Sequence, residues 1–460
     1  MTSLGPRRRL VVRLCLALGL LVPATFVGEA YVTRGSDTGA FDVTASVGDR
    51  IAAPANGTTV ITTQTVGKEV DFVQRSGDSP GELLAIDPNG TLSYYDNRYY
   101  SYWDVDPEPG TSATVLYVAS EFRTRPHCGE AKSCFVNHIE TANLSTGERT
   151  TLYSQTVRSE PSIRWHDVDR VGPDTFLVAD IHLDRVFVIN VTSGLVEWGW
   201  EVQSDYDVNE GGEFPTDWTH LNDVELLDDG RVMVGLRNQD TVAFVDPETG
   251  LDESWSLGSN DDYDVLNEQH NPDYIPAERG GPAVLVSDSD NHRIVEYQRV
   301  DGQWEQSWVW TGSGVNWPRD ADRLPNGHTL VTDTNSNRVV EVNRAGDVVW
   351  EVSLTRPYEA ERFETGDESA TGNSAASLGL ESRVDGDGGP AAPESLTGRL
   401  AASPVYQAVL FVLPWWMGIR QVLALLAAVA FALVWLGLEF SWSDRRLPRP
   451  PSLGGDRSRQ

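Results

Sequence analysis

The feature that most constrains this chain is internal repetition. Four segments align with one another: FLVADIHLDRVFVINVTSGLVEWGW from Phe176, VMVGLRNQDTVAFVDPETGLDESWS from Val232, VLVSDSDNHRIVEYQRVDGQWEQSWVW from Val284 and TLVTDTNSNRVVEVNRAGDVVWEVS from Thr329. Each is an apolar triplet, a polar turn rich in Asp or Asn, an alternating strand, a Gly-containing turn and a strand that ends at or near Trp. A further short strand precedes each, as in DVELLDDGRVMV and RDADRLPNGHTLV, where Asp-Gly and Asn-Gly are hairpin signals. The unit is four antiparallel strands in roughly 45 to 55 residues, the range of a propeller blade. Weaker copies lie upstream, around ELLAIDPNGTLSYYD and from ATVLYVASEFR to TTLYS. No stretch there sustains a 3.6-residue period, which excludes a helical solenoid. The expectation is an all-β fold, a β-propeller of about six four-stranded blades over residues 42–355, with a membrane helix at each end.

The 460 residues therefore resolve as one large repeat architecture with added ends. Against 68 Asp and Glu stand 36 Lys and Arg, and Lys68 and Lys132 are the only lysines. A net charge of −32 repels phosphate backbones, so nucleic acid is not an expected partner. At 40% hydrophobic residues with 15 Trp, the chain is too apolar to stay unfolded. Acidity with so little Lys matches proteins of halophiles, archaea among them, in which a hydrated carboxylate surface keeps proteins soluble in concentrated salt. Residues 356–403 shift to Gly, Ser, Ala, Glu and Asp and read as a flexible acidic linker.

The first 30 residues place Arg7, Arg8 and Arg9 before an uncharged apolar run from Leu14 to Val27, a signal anchor or a cleaved signal peptide. Val422 to Leu438 is long and apolar enough for a transmembrane helix. Val405 to Gly418, broken by Pro414, reads as an interfacial segment within 404–440. Arg445, Arg446, Arg449, Arg457 and Arg459 mark 441–460 as a cytoplasmic tail. The expectation is a protein of the cell membrane, touching lipid through its terminal helices, with both termini cytoplasmic and the propeller outside the cell. Asn56, Asn89, Asn143 and Asn190 sit in N-glycosylation triplets, in keeping with that side. Of three cysteines, Cys15 lies in the first apolar run, and Cys128 and Cys134 are read as a local disulfide, against free thiols or half of a metal site; with no further Cys and no His at zinc-finger spacing, no metal or other cofactor is expected.

The eight histidines can be taken singly. His166 in RWHDVDRV, His220 in DWTHLNDVELL and His270 in NEQHNPDYIP each stand just before the innermost-strand segment of a repeat, and Arg319 in WPRDADRLP holds the corresponding place in the last. Recurrence at one level of successive blades points into the central funnel. His292 and His328 sit in turns, where His commonly braces a blade, and His127, His138 and His182 have no evident partner. Arg237 follows Leu236 where the other copies carry Asp180, Asp288 or Asp333, a departure that implies either a role in the funnel or an inter-blade ion pair.

HDV, then HLNDVELLDDGRVMVGLRNQDTVAFVD, then QHNPDYI, in that order and on that repeat, resemble the propeller core of the nucleotide-independent aryl sulfotransferases of bacteria and archaea. The resemblance covers roughly Trp165 to Val352 well and the earlier blades loosely. It implies that His270 is transiently sulfated by an aryl sulfate and passes the group to a phenol. His166, His220 and Arg237 would assist catalysis by binding the sulfo group or exchanging protons, and Asn222 and Arg319 would bind substrate oxygens. Neutral imidazole near pH ~7 suits such chemistry, because it attacks readily and leaves a labile N–S bond. SDSDNHRIVEY also resembles the NHL-type repeat, so a non-catalytic ligand- or glycan-binding propeller is the alternative. A hydrolase or lactonase on the same fold would need a carboxylate and Asn cluster for metal in the funnel, a weaker reading of these residues.

Overall fold

Alternation of apolar and polar residues folds each repeat into a twisted antiparallel sheet, and six such sheets close into a propeller in this computed structural model, five of them four-stranded and the fourth blade five-stranded because its outer edge is split into Gly250–Leu251 and Leu257–Gly258. Residues 6–30, 45–64, 80–157, 164–384 and 419–442 are described. Blade 2 comprises Ser101–Pro107, Thr114–Thr124, Ser133–Asn143 and Arg149–Val157. Blades 3 to 6 begin at their inner strands, Trp165–Arg170, Leu221–Leu226, His270–Ile275 and Pro318–Arg323. Six apolar clusters fill the six gaps between neighbouring sheets, as where Leu177 and Ala179 of blade 3 meet Val224 and Val234 of blade 4. The two predicted hairpin turns carry Gly230 and Gly327 at φ 88° and 79°, a left-handed conformation that glycine adopts without strain.

Blade 1 closes the ring with strands from both ends of the domain. Pro357–Arg362 is its inner strand and pairs with Thr59–Thr63, Val60 facing Glu361 and Thr62 facing Glu359. This corrects the reading of 356–403 as a linker that begins where the propeller ends. The segment PYEAER is a strand whose acids and Arg are all buried, because an inner strand faces the other inner strands rather than an oily layer. The chain then remains on the propeller through Ala375–Leu378 to Arg383, whose backbone bonds to Thr311 and Val309. Residues 385–418, which hold the rest of the expected linker and the interfacial segment, lie outside the described residues, as does the tail from 443.

The inner strands share one pattern. A small or apolar residue, such as Val105, Val168, Val224, Ala321 or Ala360, packs between sheets and is flanked by acids. One tier consists of Asp104, Asp167, Asp223, Asn271, Asp320 and Glu359, and the next of Asp106, Asp169, Glu225, Asp273, Asp322 and Glu361. Several of these carboxylates brace neighbouring blades: Asp104 accepts from Val168 N–H, Asp320 from Ala360 N–H and Glu359 from Val105 N–H, each at 3.0 Å. A good part of the net charge of −32 is thus inside the propeller rather than on its exterior.

A second unit holds the terminal helices, Pro6–Ala30 and Ile419–Trp442. Both are long and apolar enough to cross a membrane, consistent with anchoring there. They run antiparallel, with Arg13 donating to Glu439 at 2.7 Å and Gly19 lying against Phe431.

Candidate functional site

A bulge aims the site residues. Each inner strand slips register where it approaches the mouth: between Trp165 and Asp167, Leu221 and Asp223, Pro318 and Asp320, and Tyr102 and Asp104. The residues left over are His166, Asn222, Arg319 and Trp103, and the closing strand slips likewise around Tyr358. In blade 5 the slip falls between His270 and Asp273. Bulges re-aim side chains next to functional sites, and here they set a ring of large polar and aromatic groups above the carboxylate tiers.

The predicted residues come together, with one change of place. His166 and His270 lie within inner strands, and the position equivalent to theirs in blade 4 is Asn222, not His220. His220 enters from the preceding loop in a left-handed conformation, φ 47°, and its ring centre lies 5.4 Å from that of His166. The guanidiniums of Arg164, Arg237 and Arg319 all act on the His166 imidazole, which burial first, then His220 and these cations, hold well below its ordinary value. Burial, Arg319 and Arg237 do the same to His270, and burial and Arg237 lower His220 despite the opposing charge of Asp217. All three imidazoles are therefore neutral at neutral pH.

Hydrogen bonds set the tautomers. His220 Nδ1 donates to the Asp217 carboxylate at 2.7 Å, so Nε2 keeps its lone pair. Burial alone would raise the Asp217 carboxyl, but the His220 bond and Arg237 outweigh it and hold the group well below the usual range. At His270 the partner is Ser289 Oγ, 2.8 Å from Nδ1, and Ser289 donates its own proton to Pro318 C=O at 2.7 Å. Ser289 can only accept from Nδ1–H, which leaves the His270 Nε2 lone pair free. Asn222 donates to Gln269 C=O at 3.0 Å. Both ring nitrogens of His166 and the Tyr358 hydroxyl are buried without a hydrogen-bond partner.

Arg237 realises both alternatives at once, pairing across the blade gap with Glu268 while acting on the three imidazoles. It also lines, with Asp217, an open polar cleft of about 360 Å3. Arg319 bonds to Gln64 at 2.8 Å and lies over the rings of Trp317 and Tyr358. Arg164, Trp103, Asp217, Trp317 and Tyr358 were not anticipated. Arg164, over the Trp103 ring at 4.9 Å, stands two residues before His166 and was within reach of a motif reading; Tyr358 was hidden in the supposed linker.

The remaining predictions fall elsewhere. Cys128 and Cys134 form the expected disulfide. Asn56 and Asn89 are exposed at turns, whereas Asn143 and Asn190 are half-buried and cap their own turns. His292 and His328 brace turns as expected, through Trp317 N–H and Glu341. His138 has partners after all, Ser154 and Glu121, far along blade 2 from the mouth tier. Although no metal was expected, three carboxylate triads in and beside the channel could hold one: Asp104 with Asp106 and Glu359, Asp106 with Asp169 and Asp367, and Asp273 with Asp320 and Asp322.

No protein-family model matches the chain, and no curated protein matches it in sequence. Solved propellers resemble it in fold alone. A protein of unknown function from Bacteroides caccae is 12% identical, with a TM-score of 0.44, covering 66% of this chain and 98% of that one. A chain of a nidogen/laminin complex is 14% identical at TM-score 0.42, covering 66% and 97%, and a periplasmic gluconolactonase from Pseudomonas aeruginosa is 12% identical at 0.38, covering 66% and 98%.

Proposed function

We propose that this propeller is a membrane-anchored sulfotransferase of the nucleotide-independent aryl type, working outside the cell. The observation that carries the reading is the His270–Ser289–Pro318 relay, which leaves a neutral imidazole with its Nε2 lone pair available near the guanidiniums of Arg319 and Arg237. His270 Nε2 attacks the sulfur of an aryl sulfate; the N–S bond forms as the S–O bond to the aryl group breaks, and the aryl oxide leaves. Nδ1–H, held by Ser289, carries the positive charge of the sulfoimidazolium. An acceptor phenol then gives its proton to His220 Nε2, and its oxygen takes the sulfo group, returning His270 to the neutral state. The proton on His220 passes to the departed aryl oxide or to water, so the cycle balances.

The surroundings support those roles. Arg164, Arg237 and Arg319 offset charge on sulfo oxygens in a site shielded from bulk water, and Asn222 and His166 supply further polar contacts. The mouth gathers three guanidiniums opposite Asp217, Glu268 and Asp290 on a chain of net charge −32. Trp103, Trp317 and Tyr358 offer aromatic faces for an aryl group. The test is incubation of the full chain, in detergent and high salt, with an aryl sulfate, followed by mass analysis of the peptide containing His270. A sulfo-sized adduct that a phenol discharges is expected in the wild type and not in His270→Ala. No adduct, with aryl sulfate still bound, would leave a binding propeller in place of a transferase.

A further inference from the structure

Below the mouth, the cation that acts on Asp322 is Arg362, and it does so without bonding to it. The inner-strand guanidiniums Arg323 and Arg362 are committed elsewhere, to Glu296 at 3.0 Å and Glu341 at 2.6 Å. Among the described residues, Asp273, Asp320 and Asp322 each offer a carboxylate oxygen, and the three oxygens lie within 4.8 Å of one another across the gap between blades 5 and 6. Asp320 Oδ2 is taken by Ala360 N–H and Asp273 Oδ2 by the Ser369 hydroxyl. Asp322 is different. It is 1% exposed, and neither of its carboxylate oxygens has a hydrogen-bond partner. A buried carboxylate with no donor costs several kcal/mol whenever it is ionised. An alternative of mere structural bracing, adequate for Asp104 or Glu359, does not apply to a group that braces nothing.

We propose that Asp273, Asp320 and Asp322 bind a hard divalent cation of the Ca2+ type in the central channel, fastening blade 5 to blade 6. The donor set is all oxygen, which suits Ca2+ or Mg2+ and not a cation that prefers nitrogen or sulfur. Ca2+ takes its ligands at about 2.3–2.6 Å, so opposed ligands stand about 4.6–5.2 Å apart, the span these oxygens allow. The site is closed on one side by Ser369, whose hydroxyl holds Asp273 while its Oγ accepts from Arg323 N–H at 2.7 Å. Burial, then Asp320 and Asp273, raise the Asp322 carboxyl well above its ordinary range, the repulsion a cation would relieve. The carboxylate tier lies beneath the His and Arg mouth and has no part in the transfer chemistry proposed there.

The experiment uses the full chain in detergent and molar KCl, which screens the acidic surface. Thermal unfolding is followed with Ca2+ and with a chelator, for the wild type and for Asp322→Asn and Asp273→Asn. The wild type is expected to gain about 5 °C or more in Tm, saturably, with Ca2+. Either variant should lose that gain while unfolding in chelator no earlier than the wild type, because a like charge has been removed. No saturable gain in the wild type, or an equal gain in both variants, overturns the proposal. An arm that needs no variant is the metal content after desalting from Ca2+ in molar KCl: a fixed content per chain supports the site, and none overturns it.

Discussion

His270 Nδ1 and Ser289 Oγ meet at 2.8 Å, and the direction of that bond is set by a third group, Pro318 C=O, which takes the Ser289 proton at 2.7 Å. Blade 6 repeats the outer half of this arrangement, with Thr334 Oγ1 donating to Pro357 C=O at 2.8 Å. In blades 5 and 6 the hydroxyl thus ties one blade to the next, whereas Ile181 and Arg237 hold that place in blades 3 and 4. In blade 5 alone a histidine has been placed against it. A structural device has become a tautomer lock through one neighbouring residue.

Ser289→Ala removes the acceptor and leaves Nδ1–H buried beside a methyl group. Leaving such a donor unsatisfied costs about 1–3 kcal/mol, so transfer should slow by roughly 10- to 100-fold. Ser289→Thr, which keeps the hydroxyl as Thr334 does, should restore most of the rate. Single-turnover accumulation of the adduct on His270 is the measurement, with KM for the donor expected to be unchanged in both variants.

Asp217 and His220 make a second lock, and its consequence is a pH profile. The three mouth imidazoles are held below their ordinary value, so the neutral forms required for attack and proton removal persist as pH falls through ~6.5. The acid limb of kcat/KM should therefore lie below that of free imidazole. Asp217→Asn replaces the acceptor that orients His220 and, as for a carboxylate that holds a general base, here partly exposed, should lower kcat by on the order of 10²-fold. It also removes the charge that opposes the lowering of the His220 value, so the acid limb should move further down, not up. A limb that rises above pH ~6.5 in the variant would contradict the assignment.

Blades 3 to 6 were legible because their middle strands are apolar runs between turn residues, as in FLVAD and VLVSD, and only an alternating sheet explains their period. What could not be read lies at the inner strands. WDVDP, HDVDR, RDADR and YEAER look like surface segments, since pattern rules equate burial with apolar character. In a propeller these strands pack on apolar residues on one side and on one another's carboxylates on the other, so the rule inverts. That is why the closing strand was placed in a linker and the carboxylate tiers were counted as solvated surface. His166, His220, His270 and Arg319 were nevertheless singled out because they recur at one level of successive repeats, Arg237 because it departs from the repeat consensus, and Asn222 through the family resemblance. Asp217 stands in a loop between inner strands, and only the folded ring brings it to the same mouth.

The turn histidine His292 provides a stability test independent of transfer. Its Nδ1 accepts from Trp317 N–H at 3.1 Å, and the Trp317 ring stands 5.2 Å from that of His270. Burial pushes His292 down to about 4. Because the folded value lies below the unfolded value of about 6.5, the contribution of His292 is complete above pH ~6.5 and is lost progressively as pH falls towards 4. The loss amounts to roughly 3 kcal/mol over that interval, about 1.4 kcal/mol for each pH unit between the two values. In His292→Asn, whose side-chain oxygen can accept from Trp317 without titrating, denaturant unfolding should lose correspondingly less stability between pH 6.5 and 4 than in the wild type. Equal slopes for the two proteins would mean that His292 is protonated, and solvated, in the folded chain.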